Sequence, residues 1–183
     1  MLREFLRDER ATVSAEAVIA MPLLFFVFGA TFLWWDGYRV AMTAQKSTFT
    51  VSDLISREAN PIDQAYIDGM NKMFAFLTNE DTATSIRVTI VQRKARNDGS
   101  EFHEVVWSHV SGPEFSPHTR MRDINKYIPK ISVGNQMVVV ETHLDWDPKV
   151  RGIAPPVDTY SLVTTNPRSA VPQILWDDGS GSV

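Results

Sequence analysis

No cysteine occurs among the 183 residues. That excludes disulfide frameworks, thiolate metal sites and cysteine nucleophiles. A basic surplus is also missing: 18 Lys and Arg against 22 Asp and Glu leave a formal charge of −4. A nucleic-acid binder usually carries the opposite imbalance, so nucleic acid is not an expected partner. Catalytic signatures are absent too. The four histidines, His103, His109, His118 and His143, form no HExxH or HxxxH pair, and no GxSxG occurs. The Gly179-Ser180-Gly181 string lies in a polar tail rather than in a phosphate-binding loop. The chain therefore reads as a non-enzyme with no cofactor. No internal repeat is evident.

Charge is missing most conspicuously from one place. The run AVIAMPLLFFVFGATFLWW, Ala17 to Trp35, is 19 residues long without an ionisable group. As a helix it would extend about 28 Å, close to the thickness of a bilayer's hydrocarbon core. A buried core helix keeps a polar stripe, and this run has none. It is also too long for the apolar region of an ordinary cleaved signal peptide. Trp34, Trp35 and Tyr38 gather at its C-terminal end, where an aromatic belt would lie. The expectation is a single membrane-spanning helix. Arg3, Arg7 and Arg10 before it, against Arg39 and Lys46 after it, favour a cytoplasmic N-terminus.

Beyond the run, Val40, Thr43, Ala44, Ser47, Val51, Leu54 and Ile55 recur at three- and four-residue steps, so the helix is expected to continue to about Arg57, with Gly37 as a possible hinge. Pro61 opens a second helix over Ile62–Leu77, with Ile62, Tyr66, Met70, Met73, Phe74 and Leu77 on one face. The period then changes to two. Ser85–Ala95 and Phe102–Val110 flank Asn97-Asp98-Gly99 and predict a hairpin. A short helix is expected at Met121–Tyr127, a strand at Gln136–Trp146 and a last strand at Tyr160–Thr164. The fold class is α+β: a long, partly membrane-embedded N-terminal helix and a second helix packed on an antiparallel sheet. His143, Asp145 and Asp147 alternate along one strand and would share a face able to hold a cation, although a solvated polar row has the same pattern.

Glu16 stands at the lip of the apolar run, where a carboxylate is costly unless solvated or paired. A charged leader precedes it and ends in Ala11. Four residues separate Ala11 from Glu16, and Pro22 lies six residues further on. This string, RDERATVSAEAVIAMPLLFF, resembles the processing site of type IV pilin-like proteins, most closely the TadE-like family of tight-adherence (Tad) pilus proteins. Ala11 stands where that family has glycine. The C-terminal part is similar as well, in Val138-Val139-Val140-Glu141, Trp146-Asp147-Pro148, Asn166-Pro167-Arg168 and the apolar end Val171 to Trp176. Residues 60–130 carry no such resemblance.

The resemblance implies a leader, 1–11, cut between Ala11 and Thr12 by a prepilin peptidase. The N-terminal helix, 12–58 with its span at 17–35, would stay on the mature protein, followed by a periplasmic head, 59–176, with a pilin-like fold and a flexible tail, 177–183. It implies a minor pilin or pseudopilin in the bacterial inner membrane, either staying at the base of an extracellular pilus used for attachment and biofilm formation or passing into its fibre. The implied partners are other pilin-like subunits and the inner-membrane pilus assembly platform, with Glu16 and Pro22 serving assembly and recognition. The alternative is an uncleaved single-pass inner-membrane anchor whose periplasmic domain binds a partner. Mass spectrometry of the membrane fraction decides the processing step. Thr12 is expected as the first residue; Met1 alone, with an active prepilin peptidase present, removes the cleavage claim.

Overall fold

The computed structural model describes residues 9–79, 83–148, 153, 156–169 and 173–179, without the side chains of 9–15 and 123. The leader residues 1–8 and the tail end 180–183 lie outside these. Helix α1 runs over Glu9–Arg57 and α2 over Gln64–Thr78. Four strands follow: β1, Thr84–Ala95; β2, Glu101–Ser111; β3, Gln136–Trp146; and β4, Val157–Thr165. They form one antiparallel sheet in the order β2-β1-β3-β4. Both helices pack on one face of it, as the α+β expectation requires.

The 49 residues of α1 span about 74 Å at 1.5 Å per residue. Its first half contains a stretch of mean hydropathy 2.2 with none of it buried in the protein. This is a candidate membrane span. The second half lies on the sheet through Val40, Ala44, Ser47, Thr48, Val51, Ser52, Ile55 and Ser56, all buried. Most of these are small, which lets the helix come close to the strands. Their hydroxyls are satisfied in two ways. Thr48 Oγ1 bonds back to the Ala44 carbonyl at 2.8 Å and also meets Thr142 Oγ1 of β3 at 2.6 Å. Ser52 Oγ meets Thr165 Oγ1 of β4 at 2.7 Å. A buried hydroxyl without a partner would cost on the order of 1–3 kcal/mol, so each bond both removes that penalty and sets the helix register on the sheet. Leu54, expected on this face, is instead exposed, because it lies at the margin of the buried strip, about 100° around the helix axis from Ile55.

Gly37 is not a hinge. The helix passes through it unbroken, and its missing side chain is filled by the Trp146 ring. A Cβ at Gly37 would stand 3.1–3.3 Å from three atoms of that indole. The glycine is a docking notch for the last residue of β3.

Helix α2 begins two residues later than Ile62, because Asp63 caps it: its Oδ1 accepts the Tyr66 amide at 2.7 Å. Ile62 is thereby left to pair, in parallel, with Trp176. The amide of Ile62 donates to the Leu175 carbonyl at 2.9 Å, and the Asp177 amide returns to the Ile62 carbonyl at 2.9 Å. The C-terminal segment is thus strapped over the helix side of the sheet, where Trp107 Nε1 donates to the Ile174 carbonyl at 3.0 Å and the Trp176 ring stacks on His109.

The main core lies between helices and sheet. Ile55, Ile62, Ile67 and Phe74 meet Ile86, Val88 and Ile90 of β1 and Val138, Val140 and Leu144 of β3. A smaller core covers the other face, where Val91, Met137 and Val139 pack on Ile124 and Ile128. The segment supplying those isoleucines takes up the short helix expected at Met121–Tyr127 in 3₁₀ form. It forms two 3₁₀ turns, Met121–Asp123 and Asn125–Tyr127, closed by i to i+3 bonds at 2.9–3.4 Å. A segment this short does not reach the length at which α-helix propagation outweighs nucleation. The strand expected at Tyr160–Thr164 is longer, because β4 pairs with β3 over the whole stretch from Val138 to Trp146.

Replacing Gly37 by leucine is expected to displace Trp146 and lower stability by about 1–3 kcal/mol, read as a lower unfolding midpoint by near-ultraviolet circular dichroism in detergent. An unchanged midpoint and tryptophan signal would show that the notch is not occupied.

Candidate functional site

Two regions hold the residues on which function can be argued. The first is the N-terminal half of α1. Ala11 and Thr12 lie in helical backbone, while their side chains are outside the described residues. Glu16 is exposed one residue before the apolar run. Pro22 lies within the helix, which continues on both sides of it. It has no N–H for the carbonyl four residues earlier, a loss that a helix in lipid tolerates where neighbours re-satisfy the freed group.

An apolar stripe runs along this helix. Met21, Phe28, Trp35, Met42 and Phe49 follow one another at seven-residue intervals and are 39–73% exposed. Two turns of helix bring them to nearly one line, with about 20° of drift at each step. Met42 and Phe49 are each two residues from a buried position, about 200° around the axis at 3.6 residues per turn. The stripe therefore faces away from the sheet, and it extends past Asp36 and Arg39, which are paired with each other at 2.9 Å.

The second region is on the sheet face opposite the helices. Alternation sends Arg87 of β1 and Glu141 of β3 to this face, and the register places them side by side. Glu141 is only 1% exposed. It accepts from Arg87 Nε at 2.6 Å and Nη2 at 2.5 Å, a bidentate pair. Tyr160 Oη of β4 donates to its Oε1 at 2.5 Å, and His118 Nε2 stands 2.9 Å from its Oε2. Arg87 also donates to the Ser116 carbonyl at 3.0 Å, and its guanidinium lies 4.6 Å from the centre of the Phe115 ring. Burial alone would raise the Glu141 pKa. The bonds from Arg87 and Tyr160, with the charges of Arg87 and His118, outweigh it and hold the carboxyl below the usual carboxylate range. Burial and the adjacent carboxylate push the Tyr160 hydroxyl well above the usual tyrosine range.

This network fastens the loop between β2 and the 3₁₀ turns onto three strands. Gly112 starts that loop with φ +99°, and a Cβ there would come within 2.5 Å of the Thr84 carbonyl oxygen, so only glycine fits. Sequence reasoning singled out Glu141 within the VVVE string but missed Arg87, His118 and Tyr160. Their meeting depends on strand register, which no local pattern encodes.

Further along the same face, His143 Nε2 lies 3.5 Å from Asp145 Oδ1. Their third neighbour is Asp158 of β4, opposite Asp145 in the register, rather than Asp147. The three side chains each offer one ligand atom, all within 4.8 Å of one another. Asp147 lies past the end of β3. Only the His143 and Asp145 part of the expected row therefore comes together.

Known family models, curated proteins and solved structures were compared with the chain, and none matches it.

Because the folded carboxyl of Glu141 titrates below its unfolded value, its contribution is complete above the ordinary carboxylate range. It is lost as pH falls through the lower, folded value. Glu141→Gln leaves Arg87 buried without its counter-charge and is expected to cost about 3 kcal/mol at neutral pH, with a flatter acid limb of the stability curve. Thermal unfolding of both proteins across the acid range checks this; parallel curves would refute the role assigned to the carboxylate.

Proposed function

We propose that the chain is a TadE-like minor pilin or pseudopilin, a structural or assembly component of a Tad-type pilus used for attachment. It would sit in the bacterial inner membrane with its N-terminus in the cytoplasm and its head in the periplasm. Its partners would be other pilin-like subunits, the assembly platform and a prepilin peptidase. The role is structural, not catalytic.

The observation that supports this best is the outward stripe of α1. A plain anchor needs apolar residues only at lipid depth. Here the stripe continues through Met42 and Phe49, alongside the half of the helix packed on the sheet. Apolar side chains in line on two sides of one helix suit a helix that packs on its own head and on neighbouring helices. Glu16 adds a polar key at the other end. Cutting after Ala11 would create an ammonium on Thr12, and the carboxylate of one subunit could pair with that amine on the next. An unpaired carboxylate at membrane depth is costly, so the pair would set the stagger between helices.

The uncleaved anchor has its own support. The backbone at Ala11 and Thr12 is helical. A peptidase needs its scissile bond extended, and alanine unwinds less readily than the glycine usual at this position.

Two variants test the assembly reading. Glu16→Ala and a Met42→Glu, Phe49→Glu double variant are each expected to leave membrane insertion and head folding intact. Both should reduce co-purification with other pilin-like subunits several-fold. Normal assembly of both variants would sink the proposal.

A further inference from the structure

A cavity of about 480 Å³ opens at the end of the sheet away from the Gly37–Trp146 contact, between the β1–β2 hairpin and the two 3₁₀ turns. That volume falls in the usual range for small-molecule sites. The chain as a whole is acidic, yet this wall is basic. Arg93, Arg122 and Lys130 face one carboxylate, Glu101. Glu101 is already committed to Arg93, whose Nη1 also donates to the Ile131 carbonyl at 2.6 Å. Among the described residues no carboxylate is paired with Arg122 or Lys130, so the described lining carries a surplus of about two positive charges. Met121, Ile128 and the Phe102 ring supply the apolar part of the lining.

The same wall contains a polar atom with nothing to bond. His103 Nδ1 is 3.3 Å from Asn125 Oδ1, while His103 Nε2 is buried and has no hydrogen-bond partner among the described residues. With the Asn125 amide oxygen accepting, a ring hydrogen sits on Nδ1. A buried nitrogen without a partner is unfavourable, so Nε2 marks a place on this wall where a ligand's polar group has something to gain. An anion in the cavity would compensate the free cations.

We infer that this cavity is a binding site for a small organic anion: a carboxylate or phosphate group carried on a body the size of a monosaccharide. The oxyanion is taken by Arg122 and Lys130, and the body lies against Met121, Ile128 and Phe102. Glu101 is held out of competition by Arg93. The site is independent of what α1 assembles with.

The test uses the full chain in detergent, titrated with glucuronate, glucose 6-phosphate and, as the neutral control, glucose, while the histidine ring resonances are followed by NMR. Glucuronate and glucose 6-phosphate are expected to shift the His103 resonances, and glucose to leave them in place. An Arg122→Ala, Lys130→Ala double variant alters only exposed side chains. It should keep the wild-type circular dichroism spectrum and bind at least tenfold more weakly. Failure of both anions to shift His103, an equal response to glucose, or unchanged affinity in the double variant would each overturn the inference.

Discussion

The close approach of α1 to the sheet is the contact on which the rest of the head depends. It is possible because Gly37, Ala44, Ser47, Thr48, Ser52 and Ser56 keep that strip of the helix thin. Bulky residues there would hold the helix further off and separate Thr48 from Thr142 and Ser52 from Thr165. Those two hydroxyl pairs lock rotation as well as distance, since a turn of the helix by one residue would break both of them. With rotation locked, the direction of every other side chain on α1 is decided. The outward line through Met42 and Phe49 is therefore a consequence of how the opposite side packs.

A second constraint acts on the far face of the sheet. The central strands β1 and β3 are covered on both sides, so their outward residues must be apolar or fully bonded. Val91, Met137 and Val139 meet this with the outer core, and Glu141 meets it with Arg87, Tyr160 and His118. An ion pair so deep gains little over a well-packed apolar pair of the same shape. What it adds is direction: the bidentate fork and the tyrosine bond allow one alignment of β1, β3 and β4 and one seat for Phe115.

Much of this could be read from the amino-acid order. Periodicity carries the extent of α1 to Arg57 and the bounds of β3, because one long run of each period is hard to mistake. The hairpin follows from Asn97-Asp98-Gly99, where Gly99 indeed takes a positive φ of 79°. The misreadings share a cause. Gly37 looks like a weak point until Trp146 is known to fill it. Leu54 looks like core until the buried strip of the helix is known to be narrow. Asp158 lies outside the strand expected at Tyr160–Thr164, yet it sits on β4, the exposed edge strand, where water screens it from Asp145. The Arg87, His118 and Tyr160 partners of Glu141, and the basic lining around His103, are products of register and loop path. For Ala11, Thr12 and Glu16 the position is different: the chain order carries the case for processing, and helical backbone is what the structure adds.

An unbroken α1 also has a mechanical meaning. With Gly37 filled by an indole, the helix runs on from the apolar half into the half packed on the sheet without a break in its hydrogen bonding. A tilt of the apolar half is therefore carried by that one helix to the sheet fastened on the other.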